Sequence, residues 1–356
     1  MRAAMTFLGR MLLVFCVVEG IASLARVAAL FAARAERPLA ERLHTEYDPE
    51  LGWVNRPKVS LPDLYGPGAS LHTNGQRFRG ERDVTRVAPP GRVRAICSGD
   101  SFALGYGVDD DATWCHQLEA LEPRLETVNM GQGGYGIDQS YLWFRRDGAA
   151  LEHSVHLFTF IFEDFARMGV TSFFGYGKPR LRLDGDVLAV DNVPVPRTGY
   201  WVPWLAQNAH FAGELRSIQM LRGVARRFGT GAPAARATNA DIPALAAAVF
   251  AKLAKLHRDA GRRLVLVYLP MQEERSDDST AKLRAFVAGE AQRQGVPFLD
   301  GVTALRTVAQ DDTPALFLAE ASAHFPSAAG HYTVRGNRWM AQWLLDSLRA
   351  RGVLGP

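Results

Sequence analysis

The chain has 356 residues, of which 47% are hydrophobic and 22% charged, with 33 Gly and 19 Pro; this excludes a disordered, collagen-like or coiled-coil protein as the main class. The length fits two domains, or one elaborated α/β domain with an appended segment. The formal charge is only +4, with 41 Lys and Arg against 37 Asp and Glu, and the arginines are scattered, so a nucleic-acid partner is not expected. The 3 cysteines, Cys16, Cys97 and Cys115, contain no Cys-x-x-Cys pair. That excludes a disulfide framework and structural zinc and leaves room for one bridge, Cys97 to Cys115.

From Met11 to Val18 the chain reads Met-Leu-Leu-Val-Phe-Cys-Val-Val, and apolar residues continue at Ile21, Leu24, Val27, Leu30 and Phe31. About 20 such residues match a bilayer crossing. Glu19 and Arg26 interrupt the run, and each costs about 2.5–3.5 kcal/mol near a bilayer centre. Seven residues apart, they share one helical face where a partner helix or snorkelling relieves them. A cleaved signal peptide is the rival reading, with small-residue sites at Ser23-Leu24-Ala25 or Ala33-Arg34-Ala35. A third reading is a cytosolic amphipathic helix. Arginines flank both sides, at Arg2, Arg10, Arg34 and Arg37, so charge does not orient the segment.

Residues 36–90 carry turn signals, Tyr47-Asp48-Pro49-Glu50-Leu51-Gly52-Trp53 and Asn74-Gly75, and read as a lead-in wrapped on a domain. Beyond it, short apolar runs alternate with helical patterns, the signature of βα units on a parallel sheet. The runs predict strands over 93–98, 127–130, 155–162, 264–269 and 296–299. Helices are expected over 113–121, 137–146, 242–260, 280–294 and 337–350. Alternation around Asp184-Gly185 predicts a hairpin over 180–195, inserted after the third strand. A low-complexity linker covers 229–240. The expected division is a membrane anchor or signal segment at 1–35, the lead-in at 36–90, and a domain at 91–356 with an insertion at about 172–240.

Three blocks could carry chemistry. The first strand ends in Gly99-Asp100-Ser101-Phe102, which puts Ser101 at the carboxyl edge of a parallel sheet, where doubly wound proteins bind ligands. An Asp/Ser helix cap would give the same tripeptide. The second block, Asn129-Met130-Gly131-Gln132-Gly133-Gly134-Tyr135-Gly136, follows a strand and formally satisfies Gly-x-Gly-x-x-Gly. A dinucleotide site would want an acid about 20 residues on, whereas Glu163 and Asp164 follow Gly136 by 27 and 28. The alternative is a loop that exposes backbone N–H groups beside the serine, as an oxyanion requires. The third block, His331-Tyr332-Thr333-Val334-Arg335-Gly336-Asn337, precedes the last helix. A histidine there can reach the same sheet edge as a general base, or serve only as a surface or capping residue.

In order and spacing these blocks resemble the SGNH/GDSL hydrolase family over about residues 92–350. The lead-in, with Gly75-Gln76-Arg77-Phe78-Arg79-Gly80, is similar to that of its membrane-anchored bacterial members. The resemblance implies a three-layer α/β/α sandwich on a five-stranded parallel sheet, flavodoxin-like, behind one N-terminal transmembrane helix. It implies Ser101 as nucleophile, His331 as its base, and the backbone N–H groups of Ser101 and Gly134 as oxyanion donors, with no cofactor and no metal.

Two positions depart from the family pattern. In Thr159-Phe160-Ile161-Phe162-Glu163-Asp164-Phe165, Glu163 stands where the family offers an Asn side chain to the oxyanion hole. An ionised glutamate cannot donate a hydrogen bond; a protonated one, its pKa raised by burial, can. Upstream of His331, Ser327-Ala328-Ala329-Gly330 lacks the family aspartate, so a Ser-His dyad or an acid from elsewhere, such as Asp300, must substitute. The implied activity is cleavage of acyl esters, on envelope carbohydrate or lipid, outside the membrane. Transfer to a glycan by envelope polysaccharide machinery, a degenerate glycan- or partner-binding domain, and a nucleotide-binding oxidoreductase are the alternatives.

No His-x-x-x-His or His-Glu-x-x-His arrangement occurs, and no acidic cluster has metal-ligand spacing. The run Asp109-Asp110-Asp111 reads as a solvated loop and helix cap. Phe173, Phe174, Tyr200, Trp201 and Trp204 read either as core and membrane contacts or as a sugar platform.

Overall fold

The computed structural model describes residues 2–34, 43–173, 176–185, 187–196 and 241–354. The chain divides into two compact units, 1–39 with 197–236, and 40–196 with 237–356. Phe174, Tyr200, Trp201, Trp204 and the 229–240 linker lie outside the described residues.

In the first unit, helix α1 (Arg2–Arg34) contains a 20-residue stretch, Thr6–Ala25, of mean hydropathy 1.9, long and apolar enough to cross a bilayer. A signal sequence passes the same test. Glu19 falls inside that stretch and Arg26 one residue beyond it.

The second unit is built on a five-stranded parallel sheet. Its strands are β1 (Val93–Gly99), β2 (Leu125–Gly131), β3 (Val155–Phe160), β4 (Arg263–Tyr268) and β5 (Phe298–Asp300), in the order β5-β4-β3-β1-β2. That is the doubly wound 2-1-3-4-5 order, whose direction reverses between β1 and β3. Ser101 follows β1 directly, at this switch point.

The helices are α2 (Ser101–Leu104), α3 (Trp114–Leu121), α4 (Ile137–Trp143), α5 (Phe162–Arg167), α6 (Asp241–Asp259), α7 (Ala281–Gln294), α8 (Gly301–Leu305) and α9 (Val334–Ala350). Strand residues alternate between two buried faces, as both-sided burial of a parallel sheet requires. Ala95, Cys97, Leu157, Val265 and Val267 pack with Trp114 and Leu118 of α3 and Met340 and Leu344 of α9. On the other face Phe158 and Phe160 meet Phe250 of α6, and His156 stacks on Phe144 after α4 at 3.8 Å. The three-layer sandwich follows from these two contact sets.

Sequence and structure differ at several ends. The third strand stops at Phe160, short of 162, because the Asp164 carboxylate accepts the Ile161 N–H at 3.0 Å and starts α5. The single bridge left open is not formed: Cys97 and Cys115 are buried free thiols. The inserted hairpin pairs Arg180–Asp184 with Val187–Asp191 as expected.

The lead-in stretch read as turns is a hairpin, Thr45–Asp48 against Gly52–Asn55. Asp48 Oδ1 closes it by accepting the N–H groups of Glu50 and Leu51, each at 2.9 Å. The aspartate run is not a solvated loop. Asp109 accepts the Ser70 N–H at 2.7 Å, and Asp110 accepts from buried Arg79 at 2.7 Å, so the run docks the lead-in. The cap of α3 is Thr113, whose side chain accepts from the His116 N–H.

Candidate active site

Asp100 shapes the serine turn. Its Oδ1 accepts the Phe102 N–H at 2.9 Å, which caps the one-turn helix α2 and leaves Ser101 as its first residue. The Ser101 N–H therefore has no partner within the helix.

The glycine loop closes over this turn. The Asn129 side chain donates to Ala103 O at 2.9 Å. A Cβ at Gly131 would lie 2.0 Å from the Leu104 nitrogen, so only glycine allows the approach. Gly134 has φ +78, which turns its N–H out of the local chain; that N–H donates to no group among the described residues. The lead-in braces the loop: Trp53 Nε1 donates to Gly133 O at 2.9 Å, and Asn55 Nδ2 to Gly131 O at 3.2 Å. Arg79 holds the other side, donating to Leu104 O and Val108 O at 2.7 and 2.6 Å. Gly75–Gly80 thus acts as a clamp on the serine turn, a role that needs long-range contacts to be seen.

His331 Nε2 lies 2.8 Å from Ser101 Oγ. The imidazole stacks on Phe102 at 4.2 Å between centroids, with Tyr106 at 5.4 Å on its flank. For Nε2 to accept the serine proton, Nδ1 must carry the hydrogen. Its neighbour there is a backbone carbonyl, Ala329 O, at 3.4 Å. Asp300 does not fill the vacancy. Its oxygens cap α8 through the Val302 N–H at 3.0 Å and pair with Arg284 at 2.6 Å. Burial pushes the His331 imidazole down to about 4, while the Asp100 carboxylate pulls the other way.

A carboxylate beside Nδ1 should reverse that shift. Ala329→Asp is expected to raise kcat/KM at pH 7 by at least about tenfold, a small part of the roughly 10⁴ a well-placed triad aspartate is worth. The acidic limb of the pH profile should move up from near 4 in the same variant. Unchanged kcat/KM and an unmoved limb in a folded variant would show that position 329 is not the vacated acid.

Glu163 lies in the first turn of α5. Its Oε2 is buried with no hydrogen-bond partner among the described residues. Burial, aided by the charges of Asp100 and Glu273 and opposed by Arg167, lifts its carboxyl above the ordinary range. The neutral acid is the form able to donate.

Asp164, the other acid that a dinucleotide reading would need, is spent on α5: it caps Ile161 and pairs with Arg167 at 2.6 Å. Arg167 itself escaped the sequence reading. Its signal was the i, i+3 spacing from Asp164, legible only once a helix is placed at 162–167. Among the described residues no group of His, Cys, Asp or Glu is arranged to hold a metal.

No family profile and no curated protein matches the chain. Several solved structures are similar to it. One is a member of the lipolytic protein G-D-S-L family from Veillonella parvula, at 13% identity and TM-score 0.40, covering 72% of this chain and 98% of that one. Another is the acetylxylan esterase Axe2 from Geobacillus stearothermophilus, at 12% identity and TM-score 0.38, covering 76% and 97%. A third is LAE5, an alpha/beta hydrolase enzyme from the metagenome of Lake Arreo, at 14% identity and TM-score 0.37, covering 76% and 98%.

Proposed function

We propose that this chain is an SGNH/GDSL-type serine esterase that cleaves O-acyl groups from envelope carbohydrate or lipid, anchored by α1 with its catalytic unit on the outer side of the membrane. The observation that carries the reading is the 2.8 Å contact of Ser101 Oγ with His331 Nε2, beside the uncommitted N–H groups of Ser101 and Gly134. Attack of Oγ on the ester carbonyl carbon passes the serine proton to Nε2. The tetrahedral oxyanion faces the two N–H groups and, when its carboxyl is neutral, Glu163. Collapse breaks the bond to the alcohol oxygen, which leaves with the proton from Nε2. Water then attacks the acyl-serine, gives its proton to His331, and Ser101 takes that proton as the acid departs. A sugar hydroxyl in place of that water would make the same chemistry a transfer.

A narrow crevice lies beside Gly134, walled by Trp53, Tyr106, Phe173 and Tyr176. Two other cavities among the described residues are lined by neither Ser101 nor His331.

The test treats the detergent-solubilised full chain with a fluorophosphonate probe and a short-chain aryl ester. The expected result is turnover and one adduct, on the peptide that contains Ser101. Folded protein with neither would overturn the esterase reading and favour a binding role, to which the missing carboxylate at His331 also points.

A further inference from the structure

We propose that Arg167 is a positioning residue for the chemistry of Ser101 and His331, one guanidinium that locks the serine turn, the glycine loop and the Glu163-Asp164 segment together. The inference rests on the esterase reading and deepens it. A single nitrogen, Nη1, donates to Asp100 Oδ2 at 3.2 Å, to Asp164 Oδ1 at 2.6 Å and to Tyr135 O at 2.9 Å. Asp100 precedes the nucleophile, Tyr135 follows Gly134, and Asp164 follows Glu163.

Each partner is fixed at its other end. The second oxygen of Asp100 caps α2 through the Phe102 N–H, and the second oxygen of Asp164 caps α5 through the Ile161 N–H. A shift of the guanidinium therefore moves the serine turn, the glycine loop and the Glu163-Asp164 segment relative to one another. Oxyanion donors lose their value when displaced by about 1 Å. The guanidinium is itself held in place. Phe173 covers it at 4.9 Å, and Lys178 Nζ donates to Arg167 O at 2.8 Å while pairing with buried Asp138.

Charge adds a second effect. Asp100 and Arg167 are the charged groups that bear on His331, from the serine turn and from α5, with the rings of Phe102 and Tyr106 completing its walls. Asp100 raises the basicity of the imidazole and Arg167 lowers it. Without the guanidinium the Asp100 charge acts on His331 unopposed.

The experiment compares the wild-type full chain with Arg167→Met and Arg167→Lys over the full pH range. In Arg167→Met, kcat should fall by at least about 30-fold with KM within about threefold, and the acidic limb of kcat/KM should move to higher pH. Arg167→Lys keeps the charge, but its single nitrogen stands where the guanidinium carbon does, one bond short of the Nη1 that meets all three acceptors. It should keep the wild-type limb and recover only part of kcat. A folded Arg167→Met with wild-type kcat and limb overturns the proposal. So does Arg167→Lys with wild-type kcat, which decides the matter where the methionine variant fails to fold. Wild-type turnover with Ser101 labelling separates these outcomes from failure of the esterase reading; an inactive, unlabelled wild type removes both.

Discussion

Ser101→Ala is expected to abolish fluorophosphonate labelling and to lower turnover of a short-chain aryl ester by about 10⁴-fold or more, with the fold intact. The oxygen it removes lies 2.8 Å from His331 Nε2, and no other hydroxyl touches that nitrogen among the described residues. His331→Ala should cost a similar factor, because a serine hydroxyl without a base is a poor nucleophile. The double variant should lose little beyond either single change, since the two groups act as a unit and their losses do not add. Initial rates and probe labelling of the three variants, with circular dichroism to confirm folding, measure this. Two losses that multiply in the double variant would mean that the residues act independently and that the dyad reading is wrong.

The second large effect is a two-sided pH profile in which Glu163 sets the upper side. The rising limb of kcat/KM should lie near pH 4, where burial has placed His331: below it the imidazolium cannot accept the serine proton, above it the base is free. This is well below the ordinary imidazole value of about 6.5. The falling limb should come where Glu163 ionises, above the ordinary carboxylate range, because burial, Asp100 and Glu273 all favour its neutral form. Ionisation removes a donor and adds a negative charge beside the oxyanion. Loss of one such donor is worth about 10²–10³ in rate. Glu163→Gln keeps a neutral donor at every pH, so its profile should rise near 4 and then stay flat. Persistence of the falling limb in Glu163→Gln would assign that limb to another group and remove Glu163 from the oxyanion site.

The sheet was legible because its strands are short apolar runs rich in β-branched and aromatic residues, and both faces of a parallel sheet are buried. Helix α9 was expected from 337, whereas its Thr333 cap starts it at Val334, one turn earlier. The start of α5 was missed because Val155 to Phe162 is one continuous apolar run, and the signal that cuts it, the Asp164 carboxylate on the Ile161 N–H, is a hydrogen bond rather than a residue pattern. The lead-in hairpin was read as turns because its strands are only 4 residues each. They are stabilised by contacts to Gly131 and Gly133 more than 70 residues away.

The sequence by itself determined the order of the elements, the placement of Ser101 after the first core strand, the glycine loop after the second, and the histidine before the last helix. Periodicity and local turn chemistry are short-range properties, and a linear chain states them openly. Only the tertiary structure decided which distant groups meet. It brought His331 to Ser101 across 230 positions, turned Asp300 away to Arg284, and set Arg167 against Asp100, Tyr135 and Asp164 at once. It also decided which groups are taken out of water, and hence that His331 is pushed down and the Glu163 carboxyl up, because desolvation belongs to the packed fold and not to any residue in the chain.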